Sequence, residues 1–128
     1  MNGSDVIAGK VFLVVDDEEL VREVTVMMIE DAGGTAITAR DGAEAVKVFE
    51  QAHGTIAAVL MDFSMPHLNG YEAFERMQGL NPKVPVLLVS GLKITPEAET
   101  ARASGRLGFI KKPFKQDDLL AMVRKVLT

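Results

Sequence analysis

Val11-Phe12-Leu13-Val14-Val15-Asp16-Asp17 sets the reading of this chain: five apolar residues with no polar alternate, closed by two adjacent acids. A strand that is apolar at every position is one covered on both faces, as in a parallel sheet between two helical layers. Ile56-Ala57-Ala58-Val59-Leu60-Met61 and Val84-Pro85-Val86-Leu87-Leu88-Val89 read the same way. Pro85 is tolerable near the start of its run, where a ladder bond can be forgone. Thr35-Ala36-Ile37-Thr38-Ala39 and Leu107-Gly108-Phe109-Ile110 alternate more, as edge strands do.

Between these runs apolar residues recur at helical spacing: Leu20, Val24, Met27 and Met28, then Val46 and Phe49, Phe74 and Met77, and finally Leu119, Val123, Val126 and Leu127. Each set is expected to form one buried stripe. Asp41-Gly42-Ala43-Glu44 and Asn69-Gly70-Tyr71-Glu72 mark helix starts, with a capping side chain and a Glu three residues on that can reach back. Thr95-Pro96 opens a short, alanine-rich fourth helix with the least apolar stripe, expected to be the most mobile. Five strands alternating with five helices in 128 residues leave room only for short loops. The expected fold is α/β, a doubly wound parallel sheet in the order 2-1-3-4-5, with ligands at the carboxyl ends of the strands where the order reverses.

Composition narrows the chemistry. A chain of this length makes one domain, expected over 10–128 behind a flexible leader at 1–9. With no cysteine there is no disulfide and no thiolate metal site or nucleophile. A net charge of −4 disfavours nucleic acid and anionic membrane as direct partners. No apolar run approaches the roughly 20 residues of a membrane span, and no signal peptide opens the chain, so a cytoplasmic location is expected.

The strand ends carry the chemistry: Asp16-Asp17 after the first, Asp62 after the third, Ser90-Gly91 after the fourth and Lys111-Lys112-Pro113 after the fifth. Three carboxylates on one edge resist ionising together unless a cation balances them. Oxygen-only ligation suits Mg2+, with Mn2+ as a substitute, and neither His53 nor His67 falls in a metal-ligand spacing. A divalent ion with an ammonium opposite is a common clamp for a transferring phosphoryl group. Singly each feature has a plainer reading: Glu18 and Glu19 complement a helix N-terminus, and Ser-Gly or Lys-Lys-Pro can be no more than turns. Their agreement on four strand ends favours a site.

In this order and spacing, Val14-Val15-Asp16-Asp17, Leu60-Met61-Asp62-Phe63-Ser64-Met65-Pro66, Asn69-Gly70, Ser90 and Lys112-Pro113-Phe114 resemble the receiver domains of bacterial two-component response regulators, which have a flavodoxin-like fold. The resemblance runs from Lys10 to the end of the chain. It implies that Asp62 accepts a phosphoryl group from a phosphohistidine on a sensor histidine kinase or histidine phosphotransfer domain. Asp16, Asp17, Asp62 and the Ser64 backbone carbonyl would hold Mg2+. Lys112 would pair with the carboxylate and then the phosphoryl oxygens. Ser90 would donate its hydroxyl to the phosphate, and Phe109 would be the aromatic switch.

The resemblance further implies a phosphoacceptor that assists its own phosphorylation and dephosphorylation, not a conventional enzyme, and a monomer or weak homodimer. Such a domain is either a stand-alone receiver or part of a longer protein such as a hybrid sensor kinase. Phe63, Met65 and His67 are candidates for shaping partner recognition. Ser64 stands where many receivers have Asn, and Leu92, two residues beyond Ser90, cannot orient a water, which implies slow hydrolysis of the aspartyl phosphate. The alternative within the family is a degenerate receiver that only docks proteins. Outside it, a flavin binder would lack its Ser/Thr-rich phosphate loop, and no P-loop or dinucleotide glycine cluster is present. A haloacid-dehalogenase-type phosphatase would space its two aspartates differently.

Overall fold

The computed structural model describes residues 6–128. Five strands alternate with five helices: β1 (Val11–Val15), α1 (Glu19–Asp31), β2 (Thr35–Ala39), α2 (Gly42–Ala52), β3 (Ile56–Asp62), α3 (Gly70–Leu80), β4 (Val86–Ser90), α4 (Pro96–Ala103), β5 (Gly108–Lys111) and α5 (Gln116–Leu127). The sheet runs β2-β1-β3-β4-β5 with every pairing parallel. The three fully apolar runs are its central strands. Pro85 lies just outside β4, and its carbonyl still accepts from the Val59 N–H at 3.0 Å.

Side-chain alternation along the strands divides the core into two layers. Leu13, Val15, Val59, Met61 and Leu88 face Phe49 of α2 and Phe74 and Met77 of α3. Phe12, Leu60, Leu87, Val89 and Ile110 face Ile29 of α1 and Leu119 and Val123 of α5. On the first side α4 buries only Ala98 and Ala101. Each alanine methyl gains about 0.8 kcal/mol from burial, against about 1.5–3 kcal/mol for a phenylalanine ring. α4 therefore gains far less from its seat than α2 or α3.

Three sequence expectations need correction. In α1 three of the four expected stripe residues point outward, Leu20 at 73% exposed, Met27 at 65% and Val24 at 41%, and only Met28 packs toward the sheet. The face on the sheet is one residue further along, with Thr25 and Ile29 buried and Val21 and Met28 half-buried. Two offset stripes satisfy the same helical period, and the more apolar one lies outside. Second, the leader expected over 1–9 is too long, because Ile7 is fully buried against the layer of Phe12 and Ile29; residues 1–5 lie outside the described residues. Third, the reciprocal cap exists at Asn69–Glu72 but not at α2. There Asp41 accepts from the Glu44 N–H, while the Glu44 carboxylate accepts from Arg40 N at 2.7 Å.

Candidate functional site

Strand register assembles the site. β1 and β3 run side by side with Val15 opposite Met61, so the next residues, Asp16 and Asp62, leave the sheet as neighbours. Both keep the alternation of Phe12, Leu60 and their layer, which directs them to the side covered by α1 and α5. Asp16 and Asp62 are each only 5% exposed, whereas Asp17 is exposed. Carboxylate oxygens of Asp16, Asp17 and Asp62 lie within 4.8 Å of one another. β5 supplies the counter-charge: Lys112 Nζ donates to Asp16 Oδ2 at 3.3 Å and to Asp62 Oδ1 at 3.2 Å.

Burial, followed by the neighbouring Asp16 charge, pushes the Asp62 carboxyl up from 3.8 to about 6, although Lys112 pulls the other way. Burial works against the Lys112 charge, but Asp16 and Asp62 outweigh it and hold the ammonium above its ordinary range. One ammonium among three acids leaves excess negative charge on a set of oxygen donors. That is the donor chemistry of a hard divalent cation, and magnesium, with few carboxylates and several waters, fits it.

The backbone behind Asp62 is tightly packed. A Cβ on Gly70 would come 2.7 Å from the Asp62 carbonyl oxygen and 2.8 Å from Phe63 Cα, so α3 can start here only with glycine. The Gly70 N–H donates to Phe63 O at 2.8 Å, and the Asn69 capping box closes the turn. Ahead of it the loop makes a tight turn: His67 has φ 68°, and Leu68 N donates to Pro66 O at 2.7 Å. Ser64 and His67 are exposed. Phe63 and Met65, expected as recognition residues, are instead buried in the α2–α3 layer.

Ser90 ends β4 with 1% exposure, opposite Lys111 of β5. Its hydroxyl donates to the Leu92 carbonyl at 2.9 Å and accepts from the Leu92 N–H at 3.1 Å, closing a small turn at the entrance to α4. Leu92 is 73% exposed. Phe109, opposite Leu88, is half-buried against the α2–α3 layer. Sequence reasoning missed two residues of the site. One is Gly70, which the sequence shows as part of a helix start and of the Asn69-Gly70 motif but with no packing role; a glycine in the first turn of a helix, at a cost in propensity, is the available signal. The other is Arg22, whose Nη1 donates to the Asp16 carbonyl at 2.8 Å.

A five-stranded parallel sheet in this order, with an acidic trio at its carboxyl edge and a lysine across from it, has the architecture of a signalling receiver. Residues 12–124 match the response regulator receiver domain family, and the chain belongs to it. It is a receiver domain of two-component signalling. Among curated relatives, the sensor kinase CckA of Brucella abortus is 28% identical over 124 residues, covering 97% of this chain and 13% of that protein. The chain thus spans a small part of that relative's length. Among solved structures, the Vibrio cholerae chemotaxis protein CheY4 superposes with TM-score 0.80 at 31% identity, over 94% of this chain and 100% of the other. The receiver domain of the sensor histidine kinase PA1611 of Pseudomonas aeruginosa, solved with magnesium coordinated in its active-site cleft, gives TM-score 0.81 at 25% identity, covering 94% and 98% of the two chains. Among the described residues no helix is long and apolar enough to cross a membrane.

Proposed function

We propose that this domain is a phosphoacceptor of a cytoplasmic phosphorelay, with Asp62 the nucleophile. The observation that carries the reading is the convergence of Asp16, Asp17, Asp62 and Lys112 from three separate strand ends. An Asp62 carboxylate oxygen forms a bond to phosphorus as the phosphorus–nitrogen bond of a phosphohistidine breaks, and the histidine nitrogen takes up a proton. Two anions must approach, and Lys112 neutralises part of that repulsion. Asp16, Asp17, Asp62 and the Ser64 carbonyl would hold magnesium, with manganese a substitute. The bound ion supplies charge neutralisation on the phosphoryl oxygens. The added phosphate then draws the Ser90 hydroxyl away from Leu92, and the segment into α4 follows, with Phe109 repacking behind it.

The donor's own surface is reflected in α1. Leu20, Val24 and Met27 form an exposed apolar stripe, which marks an interaction face more than ordinary surface. Beside it lies a groove of about 490 Å³ that Leu20, Val24 and Met28 share with Lys112, Pro113 and Phe114, so the stripe is continuous with the site. Glu19 and Glu23 flank it. A histidine kinase or phosphotransfer protein presenting an apolar helical face with basic edges fits this surface.

The test is covalent labelling with a small phosphodonor in the presence of magnesium, read by intact mass. The native chain should gain one phosphoryl group and Asp62→Asn none. Label persisting on Asp62→Asn would move the acceptor to another acid, and no label on a native chain that takes up magnesium would leave only a docking module.

A further inference from the structure

We propose that Arg22 is a positioning residue for the cation site: its guanidinium fixes the peptide between Asp16 and Asp17 and so delivers the Asp17 carboxylate to the other two acids. The inference rests on the magnesium reading of that trio. Arg22 Nη1 donates to the Asp16 carbonyl oxygen at 2.8 Å. That oxygen belongs to the same rigid plane as the Asp17 N–H, so holding one end of the plane sets the direction from which Asp17 departs.

The three acids are not held equally. Asp16 and Asp62 are buried and both bonded to Lys112. Asp16 is further fixed by its N–H to Ala39 O at 3.2 Å and by accepting the Glu18 N–H at 2.9 Å. Asp17 is exposed, and its place depends on the backbone alone among the bonds described. Arg22 is well suited to hold that backbone, because its own N–H is tied to Glu18 O at 2.9 Å in the first turn of α1.

The choice of acceptor matters. The Arg22 side chain bonds the backbone oxygen of Asp16, and no bond from it to the three carboxylates is among those described. Its charge alone works against uptake of a cation, whereas its hold on the loop works in favour. Charge and positioning therefore predict opposite signs when the side chain is removed.

Calorimetric magnesium titration of the native domain, Arg22→Met and Arg22→Lys separates them. Positioning predicts affinity weaker by about tenfold in Arg22→Met, at the low end of the roughly 10–100-fold lost when a group orienting a metal ligand is removed. Arg22→Lys, with a donor of shorter reach, should fall between. Unchanged or tighter binding by a folded Arg22→Met overturns the proposal. Metal-free amide spectra give a second reading: Asp17 and Glu18 should shift and exchange faster in Arg22→Met while β3 and β5 stay put, and an unchanged Asp17 amide overturns it too. A general loss of stability would lower the melting temperature without touching affinity in the folded chain. A native domain that takes up no magnesium sinks the reading beneath this one as well, which distinguishes that failure from an Arg22→Met that binds like the native chain.

Discussion

The ends of β1, β3 and β5 and the end of β4 meet on one edge of the sheet, yet they are built differently. Lys112 bonds both Asp16 and Asp62 across three strand ends, with Gly70 pressed against the backbone behind Asp62. The Ser90 hydroxyl bonds only within its own turn, to a Leu92 that stands in solvent, and the strand end leads into a helix seated on two alanines. The first group is over-determined and holds chemistry in place; the second is satisfied locally and can be redirected at small cost. A receiver needs both, one to react and one to report.

The contrast can be broken most forcefully at Gly70. Gly70→Ala should destabilise the domain by about 2–3 kcal/mol in urea unfolding, since the new methyl meets backbone that cannot swing aside. A cost below about 0.5 kcal/mol would show that the rigid half yields. Next in size, Lys112→Met leaves Asp16 and Asp62 facing each other with no counter-charge. With Lys112 partly open to solvent, a loss of about 1–3 kcal/mol at pH 8 is expected, shrinking as pH falls toward 6, because Asp62 without its lysine holds a proton more readily than in the native chain.

Asp62→Asn runs the other way. Its carboxyl ordinarily titrates at 3.8 and in the fold at about 6. Between those values the native chain keeps a proton that the unfolded chain has lost, so stability falls as pH rises through that window. Removing the charge should therefore stabilise metal-free protein by about 1–2 kcal/mol at pH 7.5 and by almost nothing at pH 4, measured by thermal melts at each pH. Magnesium should shrink the difference.

In the movable half the effects should be small on stability and visible in rates. Ser90→Ala gives up two hydrogen bonds to Leu92, about 1 kcal/mol. Leu92→Glu should leave the melting temperature unchanged, while the phosphorylated form decays faster because a carboxylate can orient water where leucine cannot. Equal decay rates for the two chains would remove Leu92 from the account of phosphate lifetime.

The sheet and the acidic edge with its lysine were legible because each left a one-dimensional trace. A short, β-branched apolar run such as Val11–Val15 reads as a strand covered on both sides, and acids or lysine directly after parallel strands share an edge. What stayed hidden has no such trace. Leu20-Val24-Met27 and Val21-Thr25-Met28 differ by one step on the same helical period, and apolar character alone favours the wrong one. Phe63 and Met65 lie in a loop by sequence but in the core by geometry. Arg22 bonds a carbonyl, and carbonyls are invisible in a pattern of side chains.

Lys112 reaches partners 96 and 50 positions earlier in the chain. During synthesis the two acids emerge from the ribosome long before the lysine that balances them, and β1 and β3 can pair while the last strand is still inside the tunnel. The acidic edge is thus balanced only once the fifth strand of the domain is in place. A product cut short before that strand, however well its central strands have collapsed, would lack the ammonium that balances Asp16 and Asp62.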